Sequence, residues 1–144
     1  MPVKRRRRRA RLVLDTNVFV AAGFNPASSS ARILDGARQG RWQIVWDEAT
    51  RRETEKVLAQ IPPLRRHEFS SLFREENRFT GPTYPQRFTA IADPDDLKFA
   101  ALAAAARATL ITNDEHLLSV RHQVDVDMAT PGEFVARQAP LSTL

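Results

Sequence analysis

Short unbroken apolar runs alternate along this chain with stretches of helical spacing. Leu12-Val13-Leu14 is apolar at every position, as a parallel strand buried on both faces must be. Asp15-Thr16-Asn17 ends it, and Val18 to Ala22 begins a helix or turn. Asn25-Pro26 and Ser28-Ser29-Ser30 form a loop whose serines can cap a helix from Ala31 to Arg38, closed by Gly40. Trp42 to Trp46 reads as a second strand, and Asp47 stands where the cap of a helix reaching Gln60 belongs. Pro62-Pro63 stops that helix; Leu64 to Glu75 reads as a third, polar-faced helix, and 77–92 as loop. Asp93 caps an alanine-rich helix that runs to Arg107, with Pro94 at its first position. Thr109 to Thr112 is a strand, Glu115 to Ser119 a helical turn, Val124 to Met128 a strand and Pro131 to Arg137 a last helix. Strands alternating with helices imply a three-layer α/β/α sandwich around a central parallel sheet.

Composition narrows this little. A chain of 144 residues, 42% hydrophobic, makes one ordinary globular domain. The absence of cysteine excludes disulfides, thiolate zinc sites and a cysteine nucleophile. No apolar run is long enough to span a membrane, so the expectation is a soluble, cytoplasmic protein.

Charge changes the picture more. The formal net charge is +5, yet seven basic groups and no acid lie in residues 1–11. Removing those seven from the 22 basic residues leaves 15 against 17 acidic. A slightly acidic domain over 11–144 therefore carries a basic arm over 1–10, where Arg5, Arg6, Arg7, Arg8 and Arg9 are candidate nucleic-acid contacts.

Four acids carry the candidate chemistry. Ligands of open α/β sheets bind beyond the carboxyl ends of the strands, and Asp15 and Asp114 lie there. Glu53 borders the apolar stripe of Thr54, Val57, Leu58 and Ile61, while Glu48 and Glu55 point outward. Asp96 shares a helix face with Phe99, Ala100 and Ala103, in a first turn whose dipole tolerates a carboxylate. Each has a plainer reading: Asp96 in a capping box with Asp93, Asp15 and Asp114 as turn formers, Glu53 paired with Arg51 or Arg52. Clustered carboxylates suit a hard cation such as Mg2+.

The run Leu14-Asp15-Thr16-Asn17-Val18-Phe19 resembles the opening motif of PIN-domain ribonucleases, including VapC-like toxins. The likeness continues at Glu53-Thr54-Glu55-Lys56-Val57-Leu58, Asp93-Pro94-Asp95-Asp96-Leu97-Lys98-Phe99, Ile111-Thr112-Asn113-Asp114-Glu115-His116-Leu117-Leu118 and Thr130-Pro131-Gly132-Glu133-Phe134, roughly residues 11 to 136. The resemblance implies a site of Asp15, Glu53, Asp96 and Asp114, supported by Thr112 and Asn17. It also implies RNA cleavage with Mg2+ or Mn2+, a homodimer and, in toxin members, an antitoxin partner. The arginine arm departs from the family pattern.

Asp15 and Asp96 are then expected to be direct ligands, Asp114 a ligand directly or through water, and Glu53 either holds a second ion or orients the attacking water. His116 is expected at the surface, and Trp42 and Trp46, four apart in a strand, on one core face. An aspartyl-phosphate enzyme is the rival chemistry, weakened by Asn17 where a second acid belongs. Other readings are a non-catalytic RNA- or antitoxin-binding module, and an RNA-processing nuclease without an antitoxin.

Overall fold

The computed structural model describes residues 9–65 and 67–138, so Arg5, Arg6, Arg7 and Arg8 lie outside the described residues. Four strands, β1 (Arg11–Leu14), β2 (Gln43–Ile44), β3 (Thr109–Ile111) and β4 (Met128–Ala129), pair in parallel in the order β2-β1-β3-β4. Around them stand α1 (Thr16–Phe24), α2 (Ser29–Arg38), α3 (Glu48–Ala59), α4 (Pro94–Ala106), α5 (Glu115–Leu118) and α6 (Pro131–Gln138).

Side chains alternate across a strand, so each strand feeds two cores. Leu12, Leu14, Ile44, Ile111 and Ala129 meet Phe19 of α1, Leu34 of α2, Leu58 of α3 and Phe134 of α6. Val13, Val45, Leu110 and Met128 meet Phe99 and Leu102 of α4 and Leu117 of α5. The result is the expected α/β/α sandwich. The expected strand from Trp42 to Trp46 shortens to Gln43–Ile44, and the two tryptophans that flank it both pack into the first core. Gly36 of α2 leaves room for the Trp42 ring, where any Cβ would collide with it. The Trp42 Nε1–H donates to the Ile33 carbonyl at 2.8 Å, and its ring meets Phe134 edge-on at 5.1 Å.

The alanines of α4 let its axis lie close to the sheet: Ala100, Ala101 and Ala103 are all buried. The helix ends at Arg107 in the left-handed region, φ 53°, where its N–H bonds the Ala103 carbonyl. That conformation costs a non-glycine residue roughly 1–2 kcal/mol. Arg11 helps fix this end, donating from Nη1 to the Ala106 carbonyl at 2.6 Å. At α6, Thr130 and Glu133 cap each other's backbone N–H reciprocally.

Two expectations are corrected. Leu64 to Glu75 is not a helix; it forms three-residue 3-10 turns at Pro62–Leu64, Ser70–Leu72 and Glu75–Asn77. The helical i, i+4 spacing of Phe69 and Phe73 serves tertiary packing instead: both rings meet Phe19, at 5.8 and 5.6 Å. The last strand begins at Met128, four residues later than expected, because 119–126 is turn and bend and Val126 packs into the second core. Among the described residues no helix is long and apolar enough to cross a membrane.

Candidate active site

From β1 the chain crosses to β2 on one side and later returns to β3 on the other. The crevice where such a sheet reverses its winding therefore opens at the carboxyl ends of β1 and β3. Asp15 follows β1 and Thr112 follows β3, with the Asp15 N–H donating to the Ile111 carbonyl at 3.0 Å.

Asp15 occupies the cap position of α1, but its side chain makes no cap hydrogen bond. Its Oδ2 instead accepts from the Thr112 hydroxyl at 2.7 Å. The same hydroxyl accepts from the Asp114 backbone N–H at 2.9 Å. Thr112, wholly buried, thus ties Asp15 to the loop that carries Asp114. Asp114 caps α5 by accepting from the His116 N–H at 2.8 Å. His116 is exposed, as expected.

Burial raises the Asp15 pKa above the ordinary carboxylate value; the Thr112 hydrogen bond opposes this and the Asp114 charge adds to it. At the start of α4, Asp93 caps by accepting from the Asp95 N–H at 3.0 Å. The plainer reading of that segment therefore holds for Asp93. Asp96 is different: it is only 8% exposed on the face that packs toward the sheet. Its pKa is pushed up to about 7, first by burial, then by the charges of Asp114 and Asp15, with smaller contributions from Asp93 and Asp95. Asp15, Asp96 and Asp114, from three separate elements, repel one another across one crevice.

Glu53 is not among the named charges that act on Asp15 or Asp96. It is half-buried on α3, and its carboxylate pairs with the Lys98 ammonium of α4 at 3.5 Å, not with Arg51 or Arg52. Arg51 pairs with Glu55 and lies 5.0 Å from the Trp46 ring centroid. Asn17 is exposed. Its backbone N–H, with that of Thr16, lowers the Asp15 pKa. Among the described residues no group of three His, Asp or Glu side chains is set closely enough to hold an ion by itself. The acids sense each other's charge at longer range than a fully closed ligand cage requires.

Three neighbours escaped the sequence reading. Thr16 and Thr54 are buried and share a hydroxyl–hydroxyl hydrogen bond at 2.9 Å. They follow Asp15 and Glu53 directly, so this bond sets α3 against the turn after β1. The signal was two threonines, Thr50 and Thr54, four apart on a buried helix face. For Lys98, two residues beyond Asp96, no local pattern distinguishes an ion-pairing lysine from a solvated one. A cavity of about 690 Å³ lies between Phe79, Tyr84, the outer alanines of α4 and Val124, and none of the four acids lines it.

Residues 11–116 match the family model described as PIN domain. An uncharacterized protein of Methanocaldococcus jannaschii is 26% identical over 148 aligned positions, covering 87% of this chain and 89% of that protein. Among solved structures, VapBC2 from Rickettsia felis, bound to a DNA fragment from its promoter, superimposes with a TM-score of 0.61 at 19% identity, over 83% of this chain and 98% of that chain. PAE2754 from Pyrobaculum aerophilum gives a TM-score of 0.54 at 14% identity, over 90% and 97%.

Proposed function

The chain belongs to the PIN domain family, whose members are generally nucleases, and on that premise we propose that it is a divalent-metal-dependent endoribonuclease, the toxin component of a toxin-antitoxin pair. One observation carries the reading: Asp15 and the Asp114 loop are joined through the Thr112 hydroxyl where the sheet reverses its winding, and the charges of Asp114 and Asp15 add to burial in raising the pKa of Asp96. Such repulsion destabilises the fold unless a cation relieves it.

The donor set fits Mg2+ or Mn2+. All candidate ligands are hard carboxylate oxygens, the donors that such ions prefer. Asp15 and Asp96 would hold the ion directly, and Asp114 directly or through water. When bound, the ion supplies Lewis-acid polarisation of a phosphoryl oxygen and a more acidic water. The chain's own residues do the rest. Thr112 fixes the Asp15 carboxylate and the Asp114 loop together. Glu53, held by Lys98 and by the Thr16–Thr54 bond behind it, orients the attacking water or takes a second ion. Lys98 also places a positive charge beside Glu53, on the helix that carries Asp96. Asn17 supports the turn through its backbone.

The likeness to VapBC2 supports a small antitoxin protein as partner, and we extend the family's usual homodimer to this chain. The test is labelled RNA incubated with the protein in Mg2+, in Mn2+ and in chelator. Cleavage is expected only with metal and is lost in Asp96→Asn, and either ion raises the melting temperature of the unmodified chain. Cleavage that survives both chelator and Asp96→Asn ends the proposal. Growth arrest on induced expression, absent in Asp96→Asn, tests the toxin role.

A further inference from the structure

The sheet has a second edge, where the strands begin, and its chemistry is opposite. Arg9 and Arg11 stand at the entry to β1, Arg41 two residues before β2 and Arg107 two residues before β3. These three strands are adjacent, in the order β2-β1-β3, and neighbouring strands lie about 4.8 Å apart, so the three entries fall within roughly 10 Å. Arg11 is engaged by the Ala106 carbonyl. Arg9, Arg41 and Arg107 are exposed and form no ion pair among the described residues.

The acids near this side form no ion pair with them among the described residues. Asp127, before β4, accepts from the Thr109 hydroxyl at 2.8 Å and pairs with Arg137 at 3.7 Å. Asp125 is its near neighbour in sequence, and Glu76 shares a shallow cleft with Arg9 and Arg74. The chain also enters β1 directly from the basic run Lys4 to Arg9.

We infer that this strand-entry edge binds the phosphate backbone of single-stranded RNA. Protein interfaces are built around an apolar centre. Here Ala10, Trp42 and Ala108, the neighbours of these arginines, turn into the two cores and leave guanidinium groups outward. Guanidinium forks suit phosphate oxygens. An RNA held there is separated from Asp15 by the length of β1, about 13 Å at 3.3 Å per residue. The inference rests on the nuclease reading only in taking the bound RNA as substrate.

The experiment measures the affinity of the full chain for labelled poly(U) against KCl concentration, in an Asp15→Asn background so that RNA stays intact. It is repeated with Arg41→Gln and Arg107→Asn together; asparagine tolerates the left-handed backbone at 107. Both positions are exposed, so the double variant should melt like its parent. Each single-strand phosphate contact contributes about −0.7 to the slope of log affinity against log salt, so the double variant should be shallower by about 1.4. Between 50 and 200 mM salt the parent should then lose about sevenfold more affinity than the variant. Deleting residues 2–8 should flatten the slope further. An unchanged slope in the double variant overturns the inference, as does polyglutamate competing as well as unlabelled poly(U), which would mark an acidic protein as the occupant. Cleavage by the unmodified chain with an unchanged slope removes only this edge. A flattened slope in a chain that never cuts RNA removes only the nuclease reading.

Discussion

The two ends of one parallel sheet solve opposite electrostatic problems. At the strand exits, Asp15 and Asp96 are 4% and 8% exposed, and burial and mutual repulsion both disfavour their charge. At the strand entries, Arg9, Arg41 and Arg107 stand in water, where a charge costs almost nothing. The exit edge is held rigid by Thr112 and by the Thr16–Thr54 bond. No comparable network anchors the three exposed arginines among the described residues. Chemistry needs groups fixed before the substrate arrives, even at the expense of stability. Attraction needs only sign and reach. A fold does not bury repelling carboxylates for stability, so the exit edge is the place to look for catalysis.

The largest separation between the edges should come from Asp15→Asn. Removing an outer-shell partner of a metal ligand typically costs 10–100-fold, so loss of a direct ligand should cost at least about 100-fold in RNA cleavage. The metal-free fold should melt at the same temperature or higher, because a buried repelling charge is gone. The salt slope of RNA binding should not change, since that is set at the other edge. A variant that cuts normally, or one that binds RNA with a different slope, breaks the division of labour.

A smaller effect should follow Thr112→Val, which keeps the shape of the side chain and removes its hydroxyl. Asp15 loses its donor and the Asp114 N–H its acceptor. Cleavage should fall about 10–100-fold, in the range of an outer-shell loss. Thr112→Ser should recover most of it, because a serine hydroxyl can make both bonds. If valine and serine behave alike, the relay through Thr112 has no part in positioning the acids.

How far the sequence disclosed this arrangement follows from the range of the forces involved. β1, the Asp47 and Asp93 caps and the buried alanine face of α4 depend on neighbours within a turn or on strict alternation, and all are readable from residue order. The convergence of Asp15 and Asp114 follows from strand exits alone. The stretch from Pro62 to Asn77 was illegible because Phe69 and Phe73 have helical spacing but satisfy a ring on α1, fifty residues earlier in the chain. The late start of β4 was hidden because Val124, Val126 and Met128 alternate like a strand while Val126 is held by the second core. Lys98 could be assigned to Glu53 only once α3 and α4 were placed side by side.

The subtlest contrast is in pH. Asp96 has its pKa pushed up from 3.8 to about 7 in the fold, and Asp15 moves the same way. Between those values the folded chain holds protons that the unfolded chain has released, so rising pH favours unfolding. The stability linked to keeping the Asp96 proton is whole below about pH 4 and gone once the pH passes about 7. In chelator, the melting temperature should therefore decline over that window, and less so in Asp96→Asn, whose amide has no proton to lose. Arginines do not titrate there, so the Arg41→Gln, Arg107→Asn variant should keep the decline of its parent. Saturating Mg2+ should flatten the upper part of the curve, because a bound cation favours the carboxylate just where the empty crevice favours the acid. An Asp96→Asn protein that declines as steeply as its parent would place the strain elsewhere than in this crevice.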